Sequence, residues 1–207
     1  MERHLGIRVV ELLCSRLCHD LVGPVGAINN GVELLDESGG DAGGEALDLI
    51  ADSADSAAAR LRLYRLALGA AGGQAGLSAG DGRAALEAWF RGGATRLEWL
   101  AALQSPPPGM VKLVLLSALL AEEALPRGGV VRVEGDDGGL VLTASGTGAA
   151  LRPEMVAALS GGLAEADLTP RSVLSHAVPR FAAAYGLSFT PPEPAGPLRF
   201  VLAKNRF

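Results

Sequence analysis

Residues 13–31 read LCSRLCHDLVGPVGAINNG, and this stretch decides the fold of the N-terminal third of the chain. Its apolar residues recur at spacings of three and four, a pattern that continues on both sides. This spacing predicts one long amphipathic helix with a single buried seam. The residues of the seam are Ile7, Val10, Cys14, Leu17, Leu21, Val25, Ile28, Val32 and Leu35.

A second apolar stripe follows a turn-like, glycine-rich segment at residues 37–44. Together the two stripes predict an antiparallel helical hairpin over residues 5–70. Because a narrow seam on two helices buries little apolar area, we expect two hairpins to pair as a homodimer with a four-helix bundle. The second stripe consists of Leu47, Ile50, Ala54, Ala57, Leu61, Tyr64 and Leu68.

One histidine stands on the side of the first helix opposite the predicted seam. His19 lies two residues from both Leu17 and Leu21, and at about 100° per residue this position faces solvent. An exposed histidine with an open approach is suited to accept a chemical group and pass it on. The residues expected to form the docking surface around it are Leu12, Ser15, Arg16, Val22, Gly23 and Gly26.

Two neighbours in sequence affect this histidine. Asp20 follows it directly and would orient the imidazole or maintain its basicity, although a merely solvated carboxylate is the alternative. Pro24, five residues after His19, removes an intrahelical hydrogen bond and predicts a kink. The weak helix formers Gly23 and Pro24 thus indicate either a functional exception or a helix in two pieces.

Arginines are expected opposite His19 on the second helix. Equal distances from the turn place residues 60–65 at its level, and this segment contains Arg60, Arg62 and Arg65. Together with Arg16 they would neutralise the oxygens of a phosphoryl group in transit. The alternative is that they only solvate a helix face.

The two cysteines, Cys14 and Cys18, lie one helical turn apart. Parallel side-chain directions at this spacing suit a disulfide poorly. With His19 and Asp20 they form a conceivable set of metal ligands, but the side chains would point in different directions. We therefore expect two reduced, packed thiols and no metal.

The composition excludes several classes of protein. The length of 207 residues fits one or two domains, and a hydrophobic content of 49% supplies a core. A net charge of −5 with 4% aromatic residues disfavours direct nucleic-acid binding. The longest largely apolar stretch, residues 113–121, is shorter than the roughly 18 residues of a membrane span, and residues 1–4 do not resemble a signal peptide. We expect a cytoplasmic protein without membrane or nucleic-acid partners.

The pattern changes after a small-residue connector at residues 69–76. We predict a helical domain at residues 1–72 and an α/β sandwich at residues 77–207, which gives the chain an α+β fold. Predicted helices cover residues 81–91, 110–123, 152–159 and 171–185. Predicted strands cover residues 96–101, 130–134, 140–144, 187–190 and 199–202.

The segment from His19 to Ile28 resembles the phosphoacceptor box of sensor histidine kinases. That box runs histidine, acidic residue, leucine, two variable residues, proline, an apolar residue, two variable residues and isoleucine. The stretch from Leu13 to Gly31 is more similar still to the ChpT-type histidine phosphotransferases of alphaproteobacteria. Residues 56–69 and 124–129 also resemble that family, so the likeness covers nearly the whole chain.

The resemblance implies a dimer with a helical phosphotransfer bundle and a degenerate ATP-binding domain of the Bergerat type. It also implies a phosphorelay in which His19 receives a phosphoryl group from the receiver domain of a hybrid histidine kinase and passes it to response-regulator receiver domains. The chain would need no cofactor, because magnesium is expected on the partner receiver domain.

Three nucleotide-binding elements of the kinase domain are missing. The helix at residues 115–123 lacks the asparagine that holds magnesium, and Ala144 stands at the aspartate position of Asp-x-Gly-x-Gly. Residues 168–172 replace the glycine-rich lid. We therefore expect no ATP binding, which argues against an active kinase. A non-catalytic scaffold or regulator remains the alternative, while a hydrolase is disfavoured because neither His4 nor His176 has an evident nucleophile beside it.

Overall fold

The computed structural model describes residues 6–37, 43–70, 77–193 and 197–205. Helix α1 spans Ile7–Glu37 and continues through Pro24, and helix α2 spans Gly43–Ala67. The two helices pack against each other as an antiparallel hairpin, with Gly31 of α1 beside Ala46 and Ile50 near the start of α2. A Cβ at Gly31 would lie 2.6 Å from Ile50 Cγ1, so this close approach requires glycine. The predicted turn at residues 37–44 lies mostly outside the described residues.

Within the single chain, the predicted apolar stripe of α1 is exposed over much of its length. Val9, Leu12 and Gly31 are the buried residues of α1 instead, because this face of the helix packs on α2 and the C-terminal region. Both cysteines are free and exposed, which also corrects the expectation of packed thiols. The members of the predicted stripe that are exposed, which we call the outer stripe, are Ile7, Val10, Cys14, Val25 and Val32.

The C-terminal region combines helices with a mixed sheet, as expected for the α+β class. Among the described residues the sheet has five strands in the order β1-β2-β3-β5-β4. Strands β1 and β2 are parallel, and the other neighbouring strands are antiparallel. The strands are β1 Thr95–Trp99, β2 Gly129–Asp136, β3 Gly139–Ser145, β4 Leu187–Thr190 and β5 Leu198–Lys204.

Helix α4 forms the centre of the core. Every residue from Met110 to Ala121 is buried, because the helix lies between the sheet and the other helices. The same core includes Leu63 and Tyr64 of α2, so it crosses the predicted boundary between the helical and the sandwich domain. The helices of this region are α3 Ala79–Phe90, α4 Met110–Glu123, α5 Pro153–Leu159 and α6 Val173–Ala184, with a short 3-10 helix at Glu165–Asp167.

A buried lysine fastens the end of α2 to this core. Lys112 on α4 is 1% exposed, and its Nζ donates hydrogen bonds of 2.9 Å and 2.8 Å to the carbonyl oxygens of Ala67 and Gly69. A cation at a helix C-terminus is favourable because it satisfies carbonyl groups that lack partners within the helix. Burial lowers the pKa of Lys112 to about 8, while the two carbonyl acceptors favour its charged form.

In the part of the chain that the structure describes, none of the helices has the length and apolar character required to cross a membrane.

Candidate functional site

His19 lies in the middle of α1 with 88% of its side chain exposed. Ser15, Val22 and Gly23 are also exposed, in agreement with the predicted docking surface. A Cβ placed on Gly23 or Gly26 would meet no atom within 4 Å, so the helix offers little steric obstruction on this side. A partner protein therefore has open access to the imidazole.

Asp20 links this exposed histidine to the interior. Its Oδ1 lies 3.3 Å from His19 Nδ1, at the long end of the hydrogen-bond range, and its Oδ2 accepts a hydrogen bond from the Tyr64 hydroxyl. An ionised carboxylate has only acceptor atoms, so this contact requires a proton on His19 Nδ1. The Nε2 atom then carries the free lone pair of the ring.

Tyr64 comes from α2, and it confirms the expectation that residues 60–65 lie level with the histidine. Its side chain is 1% exposed, and its ring packs edge-on against Trp89 with the centroids 5.7 Å apart. Burial raises the pKa of the Tyr64 hydroxyl, so the group stays protonated and donates to Asp20. The same oxygen accepts a hydrogen bond of 3.4 Å from Arg16 Nε.

The prediction that Arg16 lies on the exposed face of α1 is wrong. Its side chain is 12% exposed, and its guanidinium forms a 2.5 Å ion pair with Glu123 at the end of α4. It also donates a 3.4 Å hydrogen bond to the carbonyl oxygen of Pro170. The spacing of four residues between Arg16 and Asp20 places both on the side of α1 that faces the protein body.

Leu12 extends the same buried side and is likewise not a surface residue. It is 4% exposed and packs in a small apolar cluster at the C-terminal domain. Burial of this leucine fixes the N-terminal part of α1, so it contributes to stability rather than to an exposed docking surface. The other buried members of the cluster are Val9, Ala158, Leu168 and Val173.

The arginines of α2 have different surroundings from one another. Arg60 donates to Ser56 and lies 5.4 Å from the centre of the Trp89 ring. Arg62 forms a 3.8 Å ion pair with Asp81 of α3. Arg65 is exposed, and its side chain forms no ion pair or hydrogen bond among the described residues. Two of the three predicted phosphate-binding arginines thus contact the α3 side of α2.

Ser117 lies near the place where a kinase domain has its magnesium-binding asparagine, and Ala144 stands at the aspartate position. Ser117 on α4 is 0% exposed and Ala144 at the end of β3 is 4% exposed, so both side chains belong to the core. Within the described ranges, no group of three or more histidine, cysteine, aspartate or glutamate side chains is arranged to hold a metal ion.

Sequence reasoning missed two residues of the site, Tyr64 and Glu123. Tyr64 falls in the predicted apolar stripe of α2, where an aromatic ring is adequately explained by packing alone. Its position level with His19 was the available signal. Glu123 ends α4 and has no local feature that predicts an ion pair with a residue more than a hundred positions earlier.

Comparisons with known proteins agree with this arrangement. A family model described as the histidine phosphotransferase C-terminal domain matches residues 79–194. Protein phosphotransferase ChpT of Brucella abortus (strain 2308) is 42% identical over 168 residues, which are 78% of this chain and 79% of that protein. A 1.7 Å structure of a bacterial phosphotransferase has a TM-score of 0.80 at 36% identity, and the match covers 96% of this chain and 98% of that one.

An exposed histidine on a helical hairpin, joined to a domain of this family, defines a protein phosphotransferase. The chain belongs to the histidine phosphotransferase family and is of the ChpT type. Its activity is phosphoryl transfer in a phosphorelay of two-component signalling.

Proposed function

We propose that His19 receives the phosphoryl group on Nε2 and returns it from the same atom. The observation that carries this proposal is the pairing of an 88% exposed ring with a buried anchor on its other nitrogen. Asp20 holds Nδ1–H, and Nε2 remains available to an incoming partner. The contact of 3.3 Å leaves room to tighten when the partner docks.

The transfer step changes one bond at each end of the phosphoryl group. The Nε2 lone pair attacks the phosphorus of an aspartyl phosphate, the N–P bond forms, and the P–O bond to the donor carboxylate breaks with its electrons leaving on oxygen. The ring keeps its Nδ1 proton and gains positive charge, which the neighbouring Asp20 carboxylate offsets. The return step uses the aspartate of a second receiver domain as the nucleophile. Positioning of the two reacting groups therefore contributes more to the transfer rate than proton transfer does.

The proposed donor is the receiver domain of a hybrid histidine kinase, and the proposed acceptors are response-regulator receiver domains. Ser15, Val22, Gly23 and Gly26 form the docking surface around His19 in this proposal, because they leave the approach open. Magnesium would belong to the receiver domain, and the chain would supply no metal site and no cofactor of its own.

The proposal also excludes ATP as a phosphoryl donor. The buried positions of Ser117 and Ala144 support this, because neither side chain reaches a surface that a nucleotide could contact. Calorimetric titration with ATP and magnesium is expected to give no binding heat at micromolar protein. Saturable micromolar binding would contradict this part of the proposal.

We further propose that the protein acts as a homodimer in the cytoplasm. The outer stripe of α1 leaves Val25 and Val32 48% and 46% exposed, and α2 leaves Leu47 and Leu61 57% and 52% exposed. Pairing two hairpins would remove these apolar side chains from water. The free, exposed cysteines suit a reducing compartment.

Light scattering tests the dimer directly. Wild-type protein is expected to have twice the chain mass at micromolar concentration, and Val25→Arg is expected to shift it toward monomer because a charge would enter the paired stripe. Arg8→Glu, which changes a charge in a surface ion pair of the same helix, is the control. A wild-type protein that is monomeric at these concentrations would refute the dimer.

A phosphotransfer assay tests the role of His19. Wild type, His19→Ala and the control His4→Ala are each mixed with a radiolabelled, phosphorylated receiver domain of a hybrid histidine kinase. Label is expected on wild type and on His4→Ala, but not on His19→Ala. Equal labelling of His19→Ala would place the acceptor elsewhere. No labelling of any variant, over several receiver domains and with the fold intact, would favour a scaffold or regulator.

A further inference from the structure

We propose that Tyr64 is a positioning residue for phosphotransfer, which holds the Asp20 carboxylate so that His19 keeps its proton on Nδ1. This inference rests on the proposed role of His19. The Tyr64 hydroxyl donates to Asp20 Oδ2, and Asp20 Oδ1 faces His19 Nδ1. The two oxygens of one carboxylate therefore connect a buried phenol to an exposed imidazole.

The phenol is itself held by contacts to two other elements. Its ring packs edge-on against Trp89 of α3, and its oxygen accepts a hydrogen bond from Arg16 Nε. Arg16 is in turn ion-paired with Glu123 at the C-terminal end of α4. The chain of contacts thus runs from α4 through α1 and α2 to His19, so the C-terminal domain determines where the Asp20 carboxylate lies.

A phenylalanine at position 64 would keep the packing and lose this control. The ring would still contact Trp89, but the Asp20 carboxylate would have its remaining hydrogen bond to the solvent-exposed His19 alone. A carboxylate without this anchor occupies several rotamers, and in the others neither oxygen lies close enough to Nδ1 to accept its hydrogen bond. The fraction of His19 with a free Nε2 lone pair would then fall, and the transfer rate would fall with it.

The charged and titratable groups around Asp20 come from three elements. Arg16 and His19 lie on α1, Tyr64 lies on α2, and Glu123 on α4 adds a negative charge that Arg16 offsets. Burial raises the pKa of the Tyr64 hydroxyl, so it remains a donor through the neutral range. Tyr64 is therefore a permanent neutral donor to Asp20.

The test compares Tyr64→Phe with Tyr185→Phe, which removes the other tyrosine of the chain. Tyr185 makes no side-chain hydrogen bond among the described residues, so it is the matched control. We expect transfer from a phosphorylated receiver domain to slow about tenfold in Tyr64→Phe and to stay near wild type in Tyr185→Phe. The imidazole ¹⁵N resonances of His19 should show less of the Nδ1–H tautomer in Tyr64→Phe alone. Wild-type rate and tautomer in Tyr64→Phe would overturn the proposal.

A double-mutant cycle separates positioning from a general loss of structure. If Tyr64 acts through Asp20, then Tyr64→Phe should slow transfer little further in an Asp20→Asn background. Full additivity of the two rate losses would show that Tyr64 acts by another route. This result is distinguishable from failure of the proposed function, in which His19→Ala would still accept label.

A fluorine label gives a readout that does not depend on activity or on replacing Tyr64. In Tyr185→Phe protein made with 3-fluorotyrosine, Tyr64 is the one labelled residue, because the chain has two tyrosines. Asp20→Asn is expected to shift its ¹⁹F resonance, while the control Asp48→Asn, a change on α2 away from the site, is expected to leave it in place. An unchanged resonance in Asp20→Asn would refute the contact.

Discussion

Replacing Arg16 with leucine distinguishes a structural arginine from a phosphate-binding one. The guanidinium forms an ion pair with Glu123 and donates to Tyr64, and the two ion-paired side chains are only 12% and 17% exposed. Arg16→Leu would leave the Glu123 carboxylate largely buried without its partner. We expect this change to lower the free energy of unfolding, and we expect it to have a smaller effect on contacts with a receiver domain.

The size of the expected stability loss follows from how little of the Arg16–Glu123 ion pair is exposed. Breaking a buried ion pair from one side costs about 3–5 kcal/mol, whereas a pair in solvent contributes about 0.2–1 kcal/mol. The Arg16–Glu123 pair lies near the buried limit, and the lost hydrogen bond to Tyr64 adds roughly 1 kcal/mol. Glu123 can reduce the cost by taking up a proton, because burial already raises its pKa. We expect a loss of about 3 kcal/mol in the free energy of unfolding.

Urea denaturation followed by far-UV circular dichroism measures this loss at fixed protein concentration. With a slope of about 2 kcal/mol per molar urea, the midpoint should fall by roughly 1.5 M. Arg8→Leu is the control, since Arg8 pairs with Glu11 at 3.8 Å on the solvent side of the same helix and should change the midpoint little. Arg16→Leu combined with Glu123→Leu should recover much of the stability, because no unpaired charge remains.

An unchanged midpoint in Arg16→Leu would refute this reasoning. If phosphotransfer were lost at the same time, the guanidinium would act in transfer, either on the phosphoryl group or through its hydrogen bond to Tyr64. Loss of stability with near-normal transfer per folded molecule would establish the structural role.

Three further predictions concern stability and access to the site. Leu12→Ala should cost about 3 kcal/mol in urea denaturation, because the leucine is 4% exposed, and a cost below about 1 kcal/mol would contradict its burial. Burial lowers the pKa of Lys112 to about 8, so above that pH the unfolded chain holds more protons than the folded one. The free energy of unfolding of wild type should therefore rise by about 1–2 kcal/mol relative to Lys112→Met between about pH 8 and 10. A difference that does not change with pH would refute this. Gly23→Ala should raise the free energy of unfolding by about 1 kcal/mol, because alanine is the better helix former and its methyl group meets no intramolecular atom there. The same methyl group should slow transfer, because it lies on the proposed docking surface. Faster transfer would argue against docking at Gly23.

The fold could be predicted from the sequence where local patterns have one interpretation. Helix α4 begins and ends at the predicted Met110 and Glu123, and the strands at 130–134 and 140–144 lie within β2 and β3. For the outer stripe of α1, periodicity shows that an apolar face exists but does not say which surface covers it. Exposure of Val25 and Val32 in the single chain shows that the hairpin is not that surface.

The site could be predicted where residues are exposed and not where they are buried. His19, Val22 and Gly23 lie on the solvent side of α1, as the angle of about 100° per residue predicts. Leu12 is buried and Arg16 is largely buried instead, because α1 contacts the C-terminal domain through a different side from the predicted apolar stripe. An arginine interrupts that side, and its partner Glu123 is distant in sequence, so only the tertiary structure identifies the pair.

The weak helix formers beside His19 are tolerated because α1 is fastened on both sides of them. Gly23 forgoes about 1 kcal/mol relative to alanine and an interior proline about 3 kcal/mol. Leu12 and Asp20 are bound to the protein body before these residues, and Gly31 is packed on α2 after them. Since tertiary contacts hold the helix at these points, Gly23 and Gly26 can leave one face of α1 without side chains. That bare face is the one on which His19 stands, so the open approach to its imidazole depends on contacts made by the opposite side of the same helix.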